Sequence, residues 1–315
     1  MEVGLSIAQM QRGMDVEGFY LLKAAFAKVT ASGKPFLSAV LADTSGTIEA
    51  KVWDYSSPIG ERDVGKVLKV RGSVSDYRGM PQLTVDKLRL AEDNDRVDVS
   101  KLVSVAPIDR EAGYDEVKAL VSTIEDADYR AVCEEMLRRH EAAFRTIPAA
   151  KSVHHGFVGG LLEHTLSVVK MCDYFSKQYP ALNRDLLLTA AMFHDIGKTK
   201  ELSAFPENDY TDDGQLLGHI IIGSQMVKER IDTMPGFPKK LESELIHCIL
   251  AHHGELEYGS PKKPALIEAM ALNLADNADA KMETMTEILR GAGDNMGWLG
   301  YNRFMETNVR RTSEN

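Results

Sequence analysis

Cysteine is scarce in this 315-residue chain, with three in all: Cys133, Cys172 and Cys248. They are odd in number and far apart. That excludes a disulfide framework and a paired-cysteine metal knuckle, and it fits a reducing compartment. Long apolar runs are missing as well; no segment approaches the ~20 uncharged apolar residues of a membrane span. The opening MEVGLSIAQMQRG has no basic stretch leading into an apolar one, so no secretory leader is expected there. The closing RRTSEN carries no lipidation cysteine. Together these absences predict a cytoplasmic protein. Basic charge is also in deficit: 37 Lys plus Arg face 47 Asp plus Glu, for a net charge of -10. Nucleic-acid binding would therefore need a local patch or bound cations. Apolar residues are plentiful at 44%. That excludes a disordered chain, and the length suffices for two domains.

The chain changes character near residue 95. Before it, apolar and polar residues alternate in short runs. Ile48, Ala50 and Val52 interleave with Thr47, Glu49 and Lys51, the mark of a half-buried strand. Turns at Ser32-Gly33-Lys34, Ser45-Gly46 and Tyr77-Arg78-Gly79-Met80 divide residues 14–92 into five strands. Five strands in about 80 residues predict a small all-β barrel of the oligonucleotide-binding (OB) type. Single-strand binding needs stacking platforms and cations. Lys34, Phe36, Trp53, Tyr77 and Arg78 are the candidates, most of them beside turns. Phe19 and Phe26 read as core.

After the barrel, residues 96–113 read as a linker, 114–290 as an all-α domain and 291–315 as a tail, giving a multidomain chain with its first domain at 1–95. The helical pattern divides at about 114–144, 160–177, 183–195, 218–233, 241–253 and 264–281. Trp298, Tyr301 and Phe304 are expected to pack on a neighbouring surface, and the residues from Asn308 onward to be loose. Charge divides unevenly: net -1 over residues 1–95 and net -9 over the rest. That suits a helical part that holds cations, and equally an ordinary acidic surface.

The histidines carry the chemistry. His164, His194-Asp195, His219, His252-His253 and Asp276 fall in successive helical segments, with His154 and His155 in a glycine-rich stretch just ahead. Imidazoles mixed with carboxylates suit Mn²⁺, Fe²⁺, Co²⁺ or Zn²⁺ better than Mg²⁺, which takes oxygen ligands almost alone. A shared carboxylate can bridge two ions, and two ions ~3.5–4 Å apart can generate a hydroxide and clamp a phosphoester undergoing displacement. His247 stands five residues before His252 and reads as structural.

The ordered series HHGFVGGLLEHT (154–165), HDIGK (194–198), GQLLGH (214–219) and HHGE (252–255), with Asp276, resembles the HD-domain superfamily of metal-dependent phosphohydrolases. Within it, the series is similar to the YhaM-type 3′→5′ exoribonucleases, which pair an OB-fold with an HD domain. The resemblance runs from about residue 14 to 281. It implies that His164, His194, Asp195 and Asp276 hold one ion, with Asp195 bridging. His219 with His252, and His253 as an additional candidate, would hold the second. It leaves open which of the adjacent histidines is the ligand. Lys198 would reach the scissile phosphate as a point charge, and His154 and His155 would touch the phosphate or leaving group.

The reading is thus a hydrolase that releases nucleoside 5′-monophosphates from single-stranded RNA or, alternatively, single-stranded DNA, with two divalent ions, Mn²⁺ foremost. The barrel would present the strand. The same helical core would also suit a nucleotidase acting on deoxynucleoside triphosphates, or a cyclic-nucleotide phosphodiesterase. A non-catalytic nucleic-acid-binding accessory protein is the remaining alternative. The C-terminal aromatics could support a homo-oligomer.

Overall fold

The computed structural model describes residues 4–30, 32–77, 80–98, 102, 108–149, 158–203, 209–293 and 295–313. The chain divides into two compact units, the first within residues 1–105 and the second within 106–315.

The first unit is a closed five-stranded barrel. Its strands are β1 (Asp15–Val29), β2 (Pro35–Asp43), β3 (Gly46–Trp53), β4 (Val67–Tyr77) and β5 (Met80–Leu90). The order around the barrel is β1-β2-β3-β5-β4; β3 and β5 run parallel and every other pair antiparallel. Closure removes the free edges that would template pairing with another chain. The alternation read in β3 holds: Ile48, Ala50 and Val52 face the interior, where they meet Tyr20, Leu22, Leu37, Leu68 and Leu83. Phe19 is buried as expected. Phe26 is 52% exposed, against the core position expected of it. The register slips between Leu22 and Ala24, and beyond a bulge the inward and outward faces no longer follow from counting.

The second unit is helical: α1 (Arg110–Ser122), α2 (Ala127–Thr146), α3 (Gly160–Gln178), α4 (Arg184–Phe193), α5 (Lys198–Glu201), α6 (Asp212–Leu216), α7 (Gly218–Asp232), α8 (Lys239–Leu250) and α9 (Ile267–Gly291). The single helix expected over 114–144 is two. Asp126 accepts hydrogen bonds from the Asp128 and Tyr129 amides and so caps a new helix. The Asp185 carboxylate takes the Glu125 and Asp126 amides and holds the break open. At the centre lies α4, whose residues from Leu186 to Phe193 are all buried. A helix apolar on every side belongs in a core, and α3, α8 and α9 surround it. Whatever leaves the C-terminal end of α4 therefore enters the interior.

The C-terminal residues are a hairpin, where a tail was expected. It pairs β6 (Trp298–Asn302) with β7 (Thr307–Arg310), and Tyr301 lies opposite Asn308. Val309 is buried, and the Arg311 guanidinium donates to the Leu289 carbonyl on α9. Trp298, Tyr301 and Phe304 stay at least 64% exposed, against the packing expected of them. Among the described residues no helix is long and apolar enough to cross a membrane.

Candidate metal centre

The α4 helix ends directly at His194 and Asp195, which are 0% and 2% exposed. The turn that follows works only because residue 197 is glycine: a Cβ there would lie 2.0 Å from the His219 carbonyl oxygen. That close approach brings the start of α7, and with it His219, onto the end of α4. A second glycine shapes the turn after α8. Gly254 has φ +80, and a Cβ on it would strike the Asn273 carboxamide, which itself donates to the His252 carbonyl. His164 comes from the second turn of α3, and Asp276 and Asp279 from one face of α9.

Five imidazoles are held by Nδ1 and present Nε2 inward. Nδ1 of His194 donates to the Ala191 carbonyl at 2.8 Å, that of His252 to Ile249 at 2.7 Å and that of His253 to Tyr258 at 2.8 Å. A backbone carbonyl can only accept, so these three rings carry hydrogen on Nδ1 and, when neutral, a lone pair on Nε2. His164 Nδ1 lies 2.6 Å from Asp279 Oδ2, and His219 Nδ1 lies 3.1 Å from Glu201 Oε1. Ser167 donates to the other Asp279 oxygen. Carboxylate and carbonyl partners of this kind orient metal-ligating histidines.

The inward atoms form two groups. In the first, His164 Nε2 lies 3.1 Å from His194 Nε2 and 3.1 Å from Asp276 Oδ1. Asp195 Oδ2 stands 3.4 Å and 3.5 Å from the two imidazole nitrogens. In the second, the ligand atoms of His219, His252 and His253 lie within 4.8 Å of one another. Asp195 Oδ1 is 3.4 Å from His219 Nε2 and 3.8 Å from His252 Nε2. One carboxylate thus turns one oxygen to each group.

The donors fit divalent cations. Asp195 Oδ1, His219 Nε2 and His252 Nε2 are buried and have no hydrogen-bond partner among the described residues. Three orphaned acceptor-type atoms facing one point are costly alone, and a shared cation satisfies them together. Donors ~2.0–2.2 Å from one ion sit roughly 3 Å apart, close to the spacing of the first group. Both groups are capable of coordinating a divalent ion, which is the arrangement a two-metal site requires.

The electrostatics agree. Burial drives His252 and His194 below the usual imidazole range, with neighbouring histidines adding to the effect, so both stay neutral. Burial works against charge on Asp195, but the neighbouring Lys198 ammonium, the largest opposing effect, holds its carboxyl well below the usual range. Lys198 Nζ donates to Asp195 Oδ2 at 2.6 Å. Burial opposes its charge too, yet the Asp195 carboxylate outweighs this and keeps the ammonium protonated. His164 differs: although it is buried, Asp195, Asp276 and Asp279 raise its pKa well above the ordinary value, so a cation bound there would have to displace the proton on its Nε2. Beside these groups lies a cavity of about 480 Å³, lined in part by His164, Asp195, Lys198, His219, His253 and Asp276.

The structure therefore brings together His164, His194, Asp195, Lys198, His219, His252, His253 and Asp276. His154, His155 and Arg78 lie outside the described residues. His247 stands apart; its Nε2 accepts the Ala265 amide. On the barrel, Phe36 and Trp53 are partners across β2 and β3, with ring centroids 5.1 Å apart and Trp53 49% exposed. Lys34 pairs with Asp54 at 3.3 Å, and Tyr77 is exposed at the end of β4.

Sequence reading missed Asp279 and Glu201. Asp279 had a signal, since it follows Asp276 by three residues on one helix and so shares its face. Glu201 had none, because it belongs to none of the motifs and its partner His219 lies 18 residues on. Asp279→Asn is expected to weaken divalent-ion affinity by about 10- to 100-fold, as removal of such orienting partners does. Calorimetric titration of the metal-free protein checks it; unchanged affinity would mean that packing alone orients His164.

Comparison with known families agrees with this division. Residues 161–281 match the family model of the HD domain, and residues 22–91 match that of the OB-fold nucleic acid binding domain. Among solved structures, the second OB-fold domain of replication protein A from Methanococcus maripaludis is similar at 18% identity. That match covers 28% of this chain and 95% of that one, with a TM-score of 0.22. The N-terminal barrel is thus similar to an OB-fold nucleic acid binding domain and the helical unit to an HD domain, one following the other along the chain.

Proposed function

We propose that this protein is a metal-dependent 3′→5′ exonuclease that hydrolyses single-stranded RNA, and alternatively single-stranded DNA, to nucleoside 5′-monophosphates. The observation that carries the reading is Asp195, whose two oxygens face two separate donor groups in the wall of one cavity.

His164, His194, Asp276 and Asp195 Oδ2 would hold one ion; His219, His252, His253 and Asp195 Oδ1 would hold the other. Two divalent ions supply neutralisation of charge at phosphorus and activation of water. The chain does the rest. Nδ1 contacts to carbonyls and carboxylates keep each ring in the tautomer that ligates. Lys198, held at 2.6 Å from Asp195, offers its remaining N–H bonds and its charge to a phosphate in the cavity. His154 and His155 are further candidates for phosphate or leaving-group contact. The imidazole-rich donor set favours Mn²⁺ over Mg²⁺. The OB-fold supports a polymeric substrate, because a mononucleotide needs no strand platform; Phe36 and Trp53, with Lys34, Tyr77 and Arg78, are its proposed binding residues.

Incubation with Mn²⁺ and 5′-labelled RNA, the matching DNA or dNTPs tests this. A ladder shortening from the 3′ end with release of monophosphates supports it. Intact oligonucleotides beside hydrolysed dNTPs would move the function to a nucleotidase. Base stacking on an aromatic side chain is worth about 1–3 kcal/mol. Trp53→Ala is therefore expected to raise KM for a long single strand by roughly 5- to 150-fold, and far less for a dinucleotide. An equal rise for both would refute the platform.

A further inference from the structure

Two large aromatic rings stand in the cavity wall where the metal-site chemistry has no use for them. Tyr210 and Tyr258 line the same cavity as His164, Asp195 and Lys198, and they are 43% and 69% exposed. Aromatic rings bury well, so two left open around one polar cavity call for an occupant. The cavity also has small side chains in its wall, Ala149 and Ala280, which leave it room.

Each tyrosine is tied to the metal site through its backbone. The Tyr258 carbonyl accepts from His253 Nδ1 at 2.8 Å, so the segment carrying the ring is tied to a candidate ligand. Tyr210 forms a backbone bridge with Leu202, and its neighbour Thr211 donates its amide to the Glu201 carbonyl at 2.9 Å. Glu201 is the carboxylate that holds His219. The segments that carry the two aromatics are therefore anchored beside the metal-site histidines. The Asn277 carboxamide lines the same space one residue beyond Asp276 and offers both a donor and an acceptor.

We propose that Tyr210 and Tyr258 form a nucleobase-stacking wall, so that the site recognises the terminal nucleotide by its base as well as by its phosphate. The inference rests on the phosphoester reading given above. A phosphate drawn to the metal groups and Lys198 carries its nucleoside outward into the same cavity. Every base has an aromatic face, so stacking of this kind accepts all four and suits an enzyme that works along a strand.

The test compares AMP with ribose 5-phosphate, which keeps the phosphate and sugar but lacks the base. Both are titrated calorimetrically into full-length, Mn²⁺-loaded protein. AMP is expected to bind about tenfold more tightly or better. Tyr258→Ala and Tyr210→Ala should each bring that ratio towards one, and Tyr258→Trp should keep it. The ratio carries the test, because a displaced His253 would weaken both ligands alike. Equal binding of the two by the unaltered protein, or a ratio that survives both alanine substitutions, overturns the wall. Hydrolysis of AMP itself would overturn the exonuclease reading instead. The same ratio, taken then from KM values, would still judge the wall.

Discussion

Asp195→Asn is expected to lower phosphodiester hydrolysis by about 10³-fold or more. A carboxamide keeps the shape of the side chain but loses its charge, and it replaces one oxygen with an N–H donor. Either way round, one donor group loses its shared oxygen. Metal-assisted charge stabilisation contributes several kcal/mol to such reactions, and each ~1.4 kcal/mol is tenfold in rate. Asp195→Ala is the less informative variant. Lys198 is half-buried against this buried carboxylate at 2.6 Å, and deleting one partner of such a pair costs up to about 3–5 kcal/mol of stability. The Asn variant leaves a hydrogen-bonding oxygen for Lys198, so loss of chemistry can be read apart from loss of fold. Initial rates with Mn²⁺ on labelled RNA, beside thermal denaturation of the same samples, give both quantities. An Asn variant that folds and keeps a tenth of the activity would rule out a bridging role.

Asp195 was legible from the chain alone, and the reason is chemical. Metal sites select residue types, so His194-Asp195 and the histidines on the neighbouring segments announce a donor set before any geometry is known. The barrel was legible for a different reason: a half-buried strand must alternate, as Ile48, Ala50 and Val52 do. What failed depends on tertiary contacts. The break between α1 and α2 is stabilised by Asp185, some 60 residues away in the chain. Glu201 matters only because α7 comes to rest against it, and Gly197 permits that approach. Trp298, Tyr301 and Phe304 share the apolar character of core residues, yet in the hairpin it is Val309 that is buried while they stay exposed. Composition identifies what a side chain can do, and only packing decides whether it is asked to.

Removal of divalent ions is the second large effect, and it should be visible in stability as well as rate. The inward atoms belong to α3, the turn after α4, α7, the turn after α8, and α9, a span from His164 to Asp276. An unfolded chain does not assemble donors so far apart, so the ion binds the folded state and stabilises it by mass action. At an ion concentration a thousandfold above Kd the gain is about 4 kcal/mol. For a unit of roughly 200 residues each kcal/mol moves Tm by about 2–4 °C. Chelation is thus expected to lower the melting of the helical unit by about 8–16 °C while abolishing hydrolysis. The donor atoms explain the sign: without a cation, Asp195 Oδ1 and the Nε2 atoms of His219 and His252 are buried with no partner among the described residues. Both groups lie in the helical unit and the barrel contains none of the nine histidines, so a separate barrel transition should stay where it is. Mn²⁺ should restore the shift more fully than Mg²⁺, which prefers oxygen ligands. Asp195→Asn should respond less than the unaltered chain, because each donor group has lost part of its charge. Calorimetric scans of the two proteins with EDTA, Mg²⁺ and Mn²⁺ decide it: coincident traces would show that the histidine groups hold no ion.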